Sequence, residues 1–204
     1  VTLTQLQSLA RNLAFERSGE TGLITDAELI EILNVASRAI FFRLTTLIPD
    51  RLAERANVGA ATDPTAFSAI ATSGQPIYKV VAVRYGTNKV PLPILKNPAD
   101  AIAFEPAPAT PVPQRWFVEG TTVRFVPFYN YPVFTAEFTF IRTPADMASG
   151  SDIPWGGALA EHHDKIAILA TKLIYHKDER AQTPWDAFFQ YLDQLMADQF
   201  GGGQ

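Results

Sequence analysis

Residues 115–142 read RWFVEGTTVRFVPFYNYPVFTAEFTFIR, and the spacing of their apolar side chains decides the fold class. From Val133 to Arg142 the pattern alternates: Phe134, Ala136, Phe138 and Phe140 share one side, and Thr135, Glu137 and Thr139 the other. Successive side chains of a strand point to opposite faces, so this period of two predicts an antiparallel sheet with one buried face. Upstream, Arg115–Glu119 and Thr121–Phe128 flank Gly120, which predicts a tight hairpin. Pro127 and Pro132 bracket the following turn, whose tip carries Tyr129 and Tyr131. An aromatic loop tip is a candidate protein contact, so these two tyrosines are expected to meet a partner. A further strand is expected at Tyr78–Tyr85, YKVVAVRY.

Helical spacing takes over on both sides of this β-rich stretch. Leu3, Leu6, Ala10 and Leu13 recur at intervals of three and four, predicting a helix from Thr2 to Phe15. Thr25 and Glu28 form a capping-box pattern that opens a long second helix through Leu29, Leu33, Ala36, Ile40 and Leu44 to Pro49. Beyond the strands, a helix is expected from Ala158 to Glu179. Another follows Thr183-Pro184-Trp185-Asp186, which supplies an N-cap, a proline at the first helical position and an acid in the first turn. The expected fold is α+β, a bundle of about four helices with a β-rich antiparallel insertion between helices 2 and 3. Its parts are N-terminal helices over 1–58, the insertion over 59–150, and a C-terminal helical hairpin with a short Gly-rich tail over 151–204.

Nine of the 15 prolines lie between positions 64 and 113 and exclude long helices there. Pro106, Pro108 and Pro111 favour a polyproline-type backbone, so residues 90–113 are expected to form an arm that contacts a partner. Proline pre-orders such a segment and lowers the entropy lost on docking. At the C-terminus, Phe200 precedes Gly201-Gly202-Gly203-Gln204. Phe200 and Gln204 are thus candidate docking residues, an apolar anchor and an adaptable end.

Composition narrows the function. The 204 residues carry 17 basic and 21 acidic side chains, net −4, with no cysteine. Residues 1–102 hold ten basic and nine acidic groups and residues 103–204 seven and twelve, so no basic half is hidden. This balance argues against a protein that blankets phosphates. The missing cysteines exclude disulfides, thiolate metal sites and a cysteine nucleophile. No apolar run is long enough for a membrane-spanning helix, and the first residues lack a signal-peptide pattern. A protein assembled in a reducing cytoplasm is expected.

Sites for chemistry are scarce. Glu161-His162-His163-Asp164 is the densest set of potential ligands. Adjacent imidazoles on one helix point about 100° apart, and His176 lies about 20 Å further along the axis, so no metal site is expected. One histidine is expected to pack inward and the other to meet solvent. No GxSxG elbow and no phosphate-binding glycine loop is present. Neither a catalytic residue nor a cofactor is expected. Aromatics crowd residues 116–140, yet only Arg115, Arg124 and Arg142 accompany them, too few for a single-strand nucleic-acid groove.

Four stretches carry a family likeness: ITDAELIEILNVASRAI with Asn34 in mid-helix; PIYKVVAVRYG; PQRWFVEGTTVRFVPFYNYPVFTAEFTFIRTPADM; and DIPWGGALAEHHDKIAILATKLIYHKDERAQTPWDAFFQYLDQL. In their order the chain resembles the head-to-tail adaptor, or connector, proteins of tailed bacteriophages. The resemblance implies a structural, non-enzymatic virion protein of the neck, assembled in the host cytoplasm. It would form a ring of twelve subunits beneath the portal, joined to portal and tail proteins. DNA would pass through its channel without sequence-specific binding. An acidic ring would repel phosphates and let DNA slide. The alternatives are another neck or tail-completion protein, a small hydrolase built on the Glu161–Asp164 cluster, and a monomeric binding module.

Overall fold

The computed structural model describes residues 1–18, 24–72, 74–103, 112–127, 131, 133–177, 190 and 194; the side chains of 15–18, 102–103 and 176–177 fall outside that description. The protein is mixed α and β with antiparallel sheets. Its chain divides into two compact units, one of residues 1–51 with 144–204 and the other of residues 52–143.

The first unit holds helices α1 (Leu3–Ser18), α2 (Asp26–Leu47) and α5 (His163–Lys177), with the short α3 (Pro49–Leu52) at its border. Helix α1 buries Leu3, Leu6 and Ala10 as its spacing predicts, but its fourth buried residue is Ala14, and the expected Leu13 is only half-buried. Helix α2 starts as its capping box dictates: the Glu28 N–H donates to Thr25 Oγ1, and the Thr25 N–H donates to the Glu28 carboxylate. It buries Leu29, Leu33, Ala36, Ile40 and Leu44. Helix α5 buries Ile166, Ala167, Leu169 and Ala170, and the Tyr175 hydroxyl donates to the Ala14 carbonyl at 2.7 Å, tying it to the end of α1. Replacing Thr25 by alanine leaves the first-turn N–H groups to water and is expected to cost about 1 kcal/mol in urea unfolding.

Helix α5 starts five residues later than the periodicity suggests. Trp155, Gly156, Gly157 and Leu159 all have positive φ, 53°, 63°, 90° and 53°. A right-handed helix cannot run through left-handed backbone, so the chain kinks across Pro154–Gly157 and makes one short 3₁₀ turn, Ala160–His162, before α5. The expected last helix from Thr183 lies outside the described residues.

The second unit is built from β1 (Glu54–Ala61), β2 (Thr65–Ala66), α4 (Phe67–Ile70), β3 (Ile77–Tyr85), β4 (Val90–Leu92), β5 (Arg115–Glu119), β6 (Thr122–Val126) and β7 (Phe134–Arg142). One sheet has the order β1-β7-β3-β4 and the other β2-β6-β5. The hairpin at Gly120 forms as read, with Glu119 opposite Thr122 and Gly120 at φ 58°. Phe134, Ala136, Phe138 and Phe140 of β7 all enter one core with Val80, Val83, Trp116, Val123 and Phe125. Phe125 meets Phe134 edge-on at 5.0 Å.

Strand β1 is a correction to the expected boundary. The N-terminal helices were expected to reach residue 58, yet Glu54 already pairs with Phe140 and Val58 with Ala136. The sequence ERANVGAA shows neither period clearly, because an edge strand buries little. The arm expected over 90–113 is also partly built into this unit. Val90–Leu92 pairs with β3, and Ile94 bridges to Trp116. The Leu95 N–H donates to the Trp116 carbonyl at 2.7 Å, and Trp116 Nε1 donates to the Leu92 carbonyl at 3.0 Å. Leu95 and Ala101 then pack on Phe117 and Val126.

Candidate interaction surface

Of the residues expected to meet partners, Pro106, Pro108, Pro111, Tyr129, Phe200 and Gln204 lie outside the described residues. Tyr131 is described, and it corrects the expectation of an exposed loop tip. Its ring is 6% exposed and belongs to the β core, edge-on to Phe134 at 6.1 Å. Its hydroxyl donates to the Pro127 carbonyl, and burial pushes the phenol pKa up. Proline on either side of 128–131 signals a turn but not which aromatic turns inward.

The Glu161–Asp164 cluster is not assembled for chemistry. Both His162 and His163 are fully buried, where one was expected in solvent. His162 closes a 3₁₀ turn and His163 opens an α-helix, so the angle between neighbours on a single α-helix does not apply. His163 Nε2 lies 2.9 Å from the Ala158 carbonyl; a carbonyl only accepts, so that nitrogen carries the hydrogen. Its ring meets Trp155 edge-on at 5.2 Å, and Trp155 lies 6.0 Å from Phe41. Burial, first of all, holds both imidazole pKa values below their ordinary range. Glu161 pairs with Arg51 at 2.6 Å, and the same oxygen lies 4.0 Å from His162 Nε2. Among the described residues no group of three or more His, Asp or Glu could hold a metal ion.

What the helical unit does organise is the return of the chain from the β unit. Asn34 Nδ2 donates to the Met147 carbonyl at 2.9 Å, and Asn34 Oδ1 accepts the Met147 N–H at 2.8 Å. The amide thus replaces a strand neighbour for one buried peptide. One turn along α2, Arg38 pairs with Asp146 at 3.2 Å. Asp152 accepts the Ala148 and Ser149 N–H groups, both at 2.7 Å, and these two bonds hold its carboxyl below the usual range. The Leu3 N–H donates to the Asp152 carbonyl at 2.8 Å, and the Thr4 N–H to that of Gly150 at 3.1 Å. Residues 146–152 are therefore fixed to α1 and α2 without regular structure of their own. Sequence reading singled out Asn34 only as an unusual mid-helix residue.

The β unit presents a charged sheet face. Residues directly opposite each other across two strands share a face. Arg55 lies opposite Thr139, Lys79 opposite Ile141, and Arg84 opposite Glu137. The face opposite the aromatic core therefore carries Arg55, Lys79, Arg84 and Glu137 together. Lys89, in the β3–β4 turn, joins them: its Nζ donates to Glu137 at 2.6 Å, and Arg84 donates to the other carboxylate oxygen at 3.2 Å. Glu137 is only 5% exposed beneath these cations. The Lys89 hydrogen bond, first, and the nearby positive charges hold its carboxyl below the usual range.

No curated protein matches the chain. A family model described as SU10 adaptor protein matches residues 1–203, both units together. On that match the chain belongs to the SU10 adaptor protein family, a family of phage head-to-tail adaptors, structural proteins of the virion neck that assemble with portal and tail components.

Proposed function

We propose that this protein forms a ring of twelve subunits beneath the portal, links the capsid to the tail, and lines part of the channel through which DNA leaves. The observation that carries the proposal is the family match over nearly the whole chain. Two features support it. The chain divides into a helical unit and a β-rich unit, each with its own core. Among the described residues His162 and His163 are fully buried, away from the solvent a hydrolase must reach.

In this reading DNA meets the ring without sequence-specific binding, and no membrane is involved. Subunits are made in the host cytoplasm and join the neck during virion assembly. Pro106, Pro108 and Pro111 on the segment after Ala103, Tyr129 in the stretch of sequence before β7, and Phe200 with Gln204 at the C-terminus are the proposed partner contacts. Deleting Gly201–Gln204 is expected to weaken attachment to portal rings at least about tenfold in a sedimentation assay; full attachment would remove the tail from the account.

The function itself is tested by infection with phage lacking this gene. Filled or leaking heads without tails are expected in electron micrographs, restored by the protein supplied in trans. Normal tailed virions would overturn the proposal.

A further inference from the structure

Charge is divided between the two units of this chain. Residues 1–51 and 144–204 carry nine basic and 15 acidic side chains, net −6, whereas residues 52–143 carry eight basic and six acidic, net +2. The surplus of the β unit concentrates on one sheet face, where Arg84 and Lys89 hold the carboxylate of Glu137 and Arg55 and Lys79 lie on the same side. That face is closed around Ile141, which is fully buried, and open at the cations: Arg55 and Lys79 are exposed, and the Arg84 and Lys89 side chains retain 41% and 50% of their accessibility. Among the described residues neither Arg55 nor Lys79 forms a close ion pair, although the charge of Arg55 also acts on Glu137. In the helical unit, Glu31 is exposed on α2 and likewise forms no ion pair among the described residues.

A sheet face left with four cations and one acid is costly to keep bare at low salt and favours a partner of opposite sign. We infer that the basic face of the β unit docks on the acidic helical unit of a second copy of this chain. Such a contact joins two different surfaces of the same molecule. It is heterologous, the kind of contact from which a cyclic ring is built when its rotation closes. The contact rests on the ring proposed above and says which faces meet in it.

The test uses the full chain assembled on portal rings. Lys79→Glu with Arg55→Glu is the informative variant, because neither residue supplies a hydrogen bond to Glu137, and thermal unfolding of the free protein checks its fold. Lys96→Glu, with an exposed lysine away from this face, is the control for net charge. The double variant is expected to need at least about tenfold more protein to assemble, and the control less than about twofold. Assembly of the wild type should weaken as salt rises, and the double variant should lose most of that dependence.

Carbodiimide coupling of mixed light- and heavy-isotope subunits then maps the contact. The reagent joins an ammonium to a carboxylate only where they touch. Expected are links between Lys79 and carboxylates of the helical unit that carry mixed isotopes. Rings that form with unchanged assembly in the double variant, or Lys79 links confined to one copy, would overturn the inference and leave the ring standing. Double-stranded DNA that shields Lys79 from acylation, where a neighbouring copy does not, would overturn it in favour of phosphate. Wild-type protein that never assembles on portal would overturn the ring and this contact together.

Discussion

Replacing Asn34 by leucine is expected to destabilise the protein by about 2–6 kcal/mol, because it strands two buried backbone groups at once. The side chain sits at 9% exposure on α2 and makes both of the hydrogen bonds that a strand neighbour would make to Met147. Leucine fills the same space but leaves the Met147 N–H and C=O facing apolar atoms. Each loses about 1–3 kcal/mol of solvation it cannot recover. For a chain of this size the loss corresponds to about 5–20 °C in melting temperature. Arg38→Ala, which removes the exposed pair with Asp146 on the same segment, should cost less than about 1 kcal/mol. Equal effects of the two substitutions in thermal unfolding would show that Asn34 does not clamp the segment.

The second large effect is expected with acid. His162 and His163 are fully buried, and burial depresses both pKa values in the folded protein. The unfolded chain has ordinary imidazoles near pKa 6.5 and therefore binds protons that the folded state refuses. Their contribution to stability is complete above about pH 6.5 and is lost as pH falls below it toward the depressed folded values. The slope reaches up to about 1.4 kcal/mol per pH unit for each histidine. Urea unfolding between pH 7 and 5.5 should show this decline, and His162→Leu with His163→Phe should flatten it. A wild-type stability that holds steady over that range would contradict the burial of the two rings.

These two predictions rest on features with very different legibility in the sequence. Helix α2 was readable because Thr25, Glu28 and the stripe from Leu29 to Leu44 are local, and local signals survive folding unchanged. The same holds for β7 and the Gly120 hairpin, where alternation and a positive-φ glycine state the answer within a few residues. Strand β1 was not readable: its alanines and Gly59 gain a place only by pairing with β7, some 80 residues on. The start of α5 was hidden for another reason. Glycine at 156 and 157 announces freedom, but left-handed Trp155 is set by packing against Phe41 and His163, and left-handed Leu159 is buried.

The partner surface was least legible. Asn34 stood out as a polar residue in mid-helix, but its partner lies 113 positions away and no spacing rule reaches that far. Tyr131 and Tyr129 look alike in sequence, and only the core decides that Tyr131 faces inward. The basic sheet face was invisible in the composition of the two halves, since it becomes visible only when the chain is divided at residues 51 and 144.

Mass measurement of the purified protein with portal rings tests the central claim most directly. The proposed adaptor predicts a complex heavier than portal by twelve copies of the 22.4 kDa chain, formed in one cooperative step. Protein that stays monomeric beside unchanged portal rings, at every concentration tried, would contradict it.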